Sequence, residues 1–130
     1  MYLIEELIRE STRKIFIESP RYLGLATDVV GGQVIGEPCI GPKTNYYRIP
    51  IKHGRDIVGN GMYFVNCKPL FWKNANCDWG EIWYWFIADT ADQPVALFAD
   101  RFDRDYPMHI LCGDIAGFRR GDLELSFFIE

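Results

Sequence analysis

Nine residues, Glu81 to Asp89, read Glu-Ile-Trp-Tyr-Trp-Phe-Ile-Ala-Asp, and they dictate the architecture before any other stretch does. In an extended chain successive side chains point to opposite faces. Ile82, Tyr84 and Phe86 then lie on one side and Trp83, Trp85 and Ile87 on the other. Both faces are apolar, whereas a strand with one wet face alternates apolar with polar. Three settings satisfy such a strand: the middle of a two-layer core, a contact with a partner chain, or a platform of exposed indoles for a ligand. Trp72, Trp79, Trp83 and Trp85 are the candidate interface or ligand-platform residues, because Trp and Tyr bury large areas at small entropic cost.

The strand is followed by Thr90-Ala91-Asp92-Gln93 and then Pro94 to Ala99, which predicts a hairpin with a loop of four or five residues. Further short strands are expected at Tyr22–Thr27, Tyr46–Ile51, Met62–Val65, Leu70–Trp72, 108–112 and 123–129. Pro50 marks the second of these as an edge or a bulge. In the last, Leu123, Leu125 and Phe127 alternate with polar residues and face inward. Residues 31–45 read as a loop with room for one short strand, Gly31-Gly32 as a turn that needs positive φ, and residues 52–61 as a loop.

The beginning of the chain differs. Leu3, Ile4, Leu7 and Ile8 fall on one helical face, with Glu5, Glu6, Arg9 and Glu10 on the other. This predicts an amphipathic helix over about residues 2–16, ended before Pro20, whose apolar residues are candidates for docking on a partner or on the domain itself. Short strands with frequent turns predict a single mainly-β domain over residues 1–130, a β-sandwich or open barrel over about 20–130 carrying one N-terminal helix.

Composition agrees with an ordinary folded core. Apolar residues are 48% and aromatic residues 15% of a chain of 130, which argues against disorder. The 14 basic residues are scattered among 18 acidic ones, so no concentrated positive surface for nucleic acid is expected. No window reaches the roughly 18 apolar residues of a membrane helix, and the charged start of the chain predicts no signal peptide. Neither a membrane nor nucleic acid is therefore expected as a partner.

Motifs of catalysis are missing from the sequence. There is no G-x-S-x-G elbow, no P-loop and no G-x-G-x-x-G turn. Cys39, Cys67, Cys77 and Cys112 form no C-x-x-C pair and are expected to be plain, mostly buried thiols. With only His53 and His109 as further soft ligands, zinc spacing is absent. Asp100, Asp103 and Asp105 resemble a calcium loop only in their spacing. Arg101 and Arg104 interleave them, so a solvated loop with local ion pairs is predicted. No catalytic residue, metal or cofactor is expected, and the chain is predicted not to be an enzyme.

The order of motifs resembles that of small tailed-phage virion proteins often labelled tail or tail-fibre proteins. The likeness runs from the amphipathic start through Tyr22-Leu23-Gly24-Leu25 and Tyr46-Tyr47-Arg48-Ile49-Pro50-Ile51. It continues with Trp79-Gly80-Glu81-Ile82, the hairpin from Phe86-Ile87-Ala88-Asp89 to Leu97-Phe98, Leu111-Cys112-Gly113-Asp114, and Gly121 to Leu125. The resemblance implies a β-sandwich in a multi-copy particle protein of the tail, baseplate or fibre region. It implies assembly in the host cytoplasm and contacts with other virion proteins and with further copies of the chain. A capsid decoration or head-fibre protein and a carbohydrate-binding module for a host surface glycan are the alternative expectations.

Overall fold

The computed structural model describes residues 21–59 and 63–126. The predicted helix, with Leu3, Ile4, Leu7 and Ile8, lies outside the described residues, as does Phe127. The described chain is mainly β: it contains thirteen strands in several sheets, no helix and no closed barrel. It forms two compact units, a larger one from Tyr22–Pro50 and Phe71–Ala116 and a smaller one that includes Ile51–Leu70 and the chain from Gly117 onward.

In the larger unit the main sheet has the order β10-β9-β1-β4, with β1 Arg21–Ala26, β4 Ile49–Ile51, β9 Tyr84–Ala88 and β10 Phe98–Arg101. β1 and β9 pair antiparallel, from Tyr22 opposite Ala88 to Ala26 opposite Tyr84. Trp85, Phe86, Ile87 and Ala88 are consecutive and all buried, so both faces of β9 are covered within the chain itself. Gly24 sits opposite Phe86, and a Cβ there would stand 2.3 Å from the Phe86 ring. Only a residue without a side chain lets the ring cross the strand at that point. β4 is at the sheet edge, where Pro50 takes no donor from the ladder.

The predicted strand over Glu81–Asp89 is broken at Trp83. β8, Gly80–Ile82, pairs with β11, Met108–Ile110, while β9 pairs with β1 and β10. Trp83 itself donates its N–H to Ala26 O at 3.1 Å and accepts from Phe102 N–H at 3.0 Å. One extended run thus changes partners midway, a switch that periodicity cannot show because the residues remain extended throughout.

Only Phe98 and Ala99 of the predicted return strand Pro94–Ala99 pair with β9. The ladder with β9 starts at Phe98, opposite Ile87. Pro94–Ala96 instead lies along the hairpin of β2, Asp28–Val30, and β3, Gln33–Ile35. Val34 N–H donates to Pro94 O at 3.0 Å and Ala96 N–H to Gly32 O at 2.8 Å. This detour lets Val34 and Ala96 pack with Ala26, Phe86 and Ala88, a burial that a tight turn would forgo. Between β2 and β3, Gly31 and Gly32 have φ of 58° and 80°, the two left-handed positions of a type I′ turn.

In the smaller unit β13, Glu124–Ser126, pairs with β6, Tyr63–Asn66, which pairs with β5, Ile57–Gly59. Leu123 and Leu125 are buried and Glu124 exposed, as the alternation predicts. β5 falls inside the predicted loop 52–61. It is extended because Ile57 is buried and Gly59 admits the Tyr63 carbonyl, which would lie 2.1 Å from a Cβ. Its two β-branched residues are too few to register as a periodic run. A further short ladder pairs β7, Leu70–Phe71, with β12, Gly117–Phe118.

Candidate functional site

The buried polar groups of the larger unit converge on Arg48. It is sequestered because its guanidinium stacks over Phe86, 4.9 Å from the ring centroid, in the centre of the core. Nε and Nη2 grip Glu37 in a two-pronged ion pair at 2.8 and 2.7 Å. Nη1 donates to Thr90 O at 2.8 Å and Nη2 also to Gln93 O at 2.7 Å. Tyr46 donates its hydroxyl to Glu37 at 2.6 Å and accepts Leu25 N–H at 2.9 Å. Burial, and then the Glu37 carboxylate beside it, pushes the Tyr46 phenol well above the ordinary range. Burial works against the Arg48 charge, but the Glu37 hydrogen bond and charge outweigh it and hold its affinity for the proton above normal. These groups bind one another and loop carbonyls, which is what a strut does; a general acid or base needs an open side for substrate.

The smaller unit repeats the device. Asn66 is fully engaged: its Nδ2 donates to Lys68 O and Arg119 O, and its Oδ1 accepts from Gly121 and Leu123 N–H. Buried Asp56 accepts from Lys52 N–H and pairs with Arg55 and Lys68 at 2.8 and 2.7 Å. Desolvation opposes its charge, yet these partners prevail and hold the carboxyl below its usual range. His53 stacks edge-on against Phe64 with ring centroids 6.1 Å apart. His109, in the larger unit, lies exposed with Nε2 3.9 Å from Glu81. Among the described residues no three His, Cys, Asp or Glu gather as metal ligands, and no helix is long and apolar enough to cross a membrane.

The four tryptophans do not share one exposed platform. Trp72, Trp79 and Trp85 are buried, at 3%, 8% and 6% exposure. Trp79 packs edge-on against Tyr46 and donates its Nε1–H to Thr44 O at 2.9 Å. The indoles are the largest apolar groups available, and the core takes them first. Only Trp83, at the strand break, stays half-exposed. The thiols run the other way: Cys39 and Cys112 are exposed and Cys67 and Cys77 half-buried, so none is a core residue. The turn-rich segments that carry them lie at the surface, where polar backbone meets water.

Around Trp83 the surface is open. Thr27, Asp28, Trp83, Tyr84 and Arg101 line a cleft of about 280 Å³. The Arg101 guanidinium lies 5.7 Å from the Trp83 ring centroid and 5.6 Å from that of Tyr84, and its Nε donates to the Tyr84 hydroxyl at 3.2 Å. That hydrogen bond, the Tyr84 oxygen and the Asp28 charge all favour the charged guanidinium. Sequence alone pointed to Trp83 but missed Tyr84 and Arg101. Arg101 sits in the Asp-Arg-Phe-Asp-Arg-Asp run expected to form local ion pairs. Its acids instead cap backbone: Asp100 accepts Arg101 N–H at 2.8 Å and Asp103 accepts Asp105 and Tyr106 N–H. A second groove, of about 230 Å³, is lined by Tyr47, Pro50, Phe71, Lys73 and buried Trp72.

The outer face of the β2–β3 hairpin is the other notable surface. Val29, Val34 and Ala96 point into the core, so their neighbours Val30, Ile35 and Val95 point out, at 57%, 46% and 51% exposure. Compared with family models, curated proteins and solved structures, the chain matches none.

Proposed function

We propose that this chain is a non-enzymatic structural protein of a tailed-phage particle, placed in the tail, baseplate or fibre region and working through repeated contacts between subunits. The sandwich packing of its sheets and the docking role of the N-terminal segment belong to the same proposal. The observation that carries it is the outward face of the β2–β3 hairpin, where Val30, Ile35 and Val95 stand exposed around Gln33. Large apolar side chains gathered on one exposed face mark an association site. The sequence resemblance to small tail proteins supports the particle setting. The internal chemistry supports it too, because Arg48, Glu37, Asp56 and Asn66 brace loops rather than open onto a cleft.

Sedimentation velocity on the purified chain tests the association. Self-assembly is expected, and the double variant Val30→Asp, Ile35→Lys should shift the protein to monomer without loss of its β-sheet spectrum. A monomer at all concentrations in the parent chain contradicts the reading. Antibody labelling of purified particles under the electron microscope should then place the chain on the tail; label on the head alone would favour the decoration reading.

A further inference from the structure

We infer that the Trp83 cleft is a binding site for a single neutral sugar ring. Its floor is aromatic: Trp83 and Tyr84 are adjacent in sequence and both half-exposed, and the Arg101 guanidinium lies over both rings, 5.7 and 5.6 Å from their centroids. The apolar face of a pyranose, built of C–H groups, matches such a floor, since an aromatic ring carries a negative face.

The rim supplies the selectivity. Arg101 uses Nε on Tyr84 and Nη1 on Arg104 O, and no described residue accepts from Nη2. Asp28 uses Oδ1 on Val29 N–H, and no described residue donates to Oδ2. Donors on Arg101 Nη2 and the acceptor Asp28 Oδ2 thus remain at the edge of the aromatic floor. A hydroxyl group, which both gives and takes a hydrogen bond, satisfies this pair. A carboxylate or phosphate would meet Arg101 but be repelled by Asp28, so the pair selects against anions. The cleft, of about 280 Å³, is shallow and open to solvent, so a ligand would lie on its aromatic side chains rather than be enclosed.

The site is also held in place before any ligand arrives. Trp83 is pinned through its backbone to Ala26 on one side and Phe102 on the other, and Thr27 ties its hydroxyl to Gly36 O and Glu81 O. The backbone under the site is thereby fixed before binding. This inference stands apart from the particle proposal, for a sugar site on this cleft requires no subunit contact.

The test is a titration of the full chain with methyl glycosides of glucose, galactose and N-acetylglucosamine, followed by the Trp83 indole N–H signal in NMR and by tryptophan fluorescence. At least one glycoside should saturate the Trp83 signal. Arg101→Gln, at an exposed position, should weaken that binding about tenfold, the size of one good polar or stacking contact. Tyr47→Ala, in the other groove, should leave it unchanged. Asp28→Asn should admit methyl glucuronide, which the parent chain refuses. No saturation with any neutral glycoside, shifts confined to Trp72 or Tyr47, or a parent chain that prefers glucuronide would each overturn the inference.

Discussion

Arg48 has a buried guanidinium with four hydrogen bonds and a partly buried carboxylate partner, Glu37. Removing a buried ion's only counter-charge costs far more than the pair contributes, about 3–5 kcal/mol. Arg48→Met, which keeps an apolar side chain but removes the guanidinium from over Phe86, should therefore lower stability by about that amount, read as a drop in the urea midpoint. Glu37→Gln in the same background should recover part of the loss, because the stranded carboxylate is then gone. Equal midpoints for Arg48→Met and the parent chain contradict the strut role. Asp56 yields a pH prediction. Its carboxyl is held below its ordinary value, so the folded state binds that proton more weakly than the unfolded state does. The stability it confers is complete above the unfolded value of about 4 and is lost as pH falls through the lower folded value. Thermal melts from pH 6 down to pH 2 should show this acid loss, and Asp56→Asn should flatten it. An unchanged slope in that variant sinks the assignment.

At the scale of the strand, β10 is the edge of the main sheet and so a template for unwanted pairing. Phe102 N–H bonds inward to Trp83 O, so alternation turns the Arg101 N–H away from β9. The Asp100 carboxylate takes that N–H, closing the edge with the preceding residue's own side chain. Asp100→Ala should reopen it, and concentration-dependent association should appear in sedimentation when Val30→Asp and Ile35→Lys have silenced the hairpin face. Sequence made the strands around β9 readable because both faces of that strand are apolar, and a short run of large apolar residues has few places to go. The β2–β3 turn was readable from Gly31-Gly32, and the edge position of β4 from Pro50. The break at Trp83, the diversion of Pro94–Ala96 and the strand β5 were not. Each depends on which distant segment offers a better partner, and local propensity carries no information about that.

Across the molecule, the same limit governs the candidate site. Trp83 stood out among the four tryptophans only as one of a set, since the sequence cannot tell which indoles the core will take. Tyr84 looked like core, and Arg101 like a loop charge, until register placed them opposite one another. The braces were less legible still. Glu37, Tyr46, Arg48, Thr90 and Gln93 come from three separate stretches of chain, which meet only in the folded structure beside Phe86. Each of the two units has its own buried polar hub, Arg48 in one and Asn66 with Asp56 in the other.

Arg48 also has a bearing on where this polypeptide can be cut. Its two carbonyl anchors, Thr90 and Gln93, bracket Ala91 and Asp92, which lie exposed at the tip of the connection. A nick between Ala91 and Asp92 would leave each new end tethered to the same guanidinium. That peptide bond is where a protease cut should be best tolerated, the two new ends tied down from within.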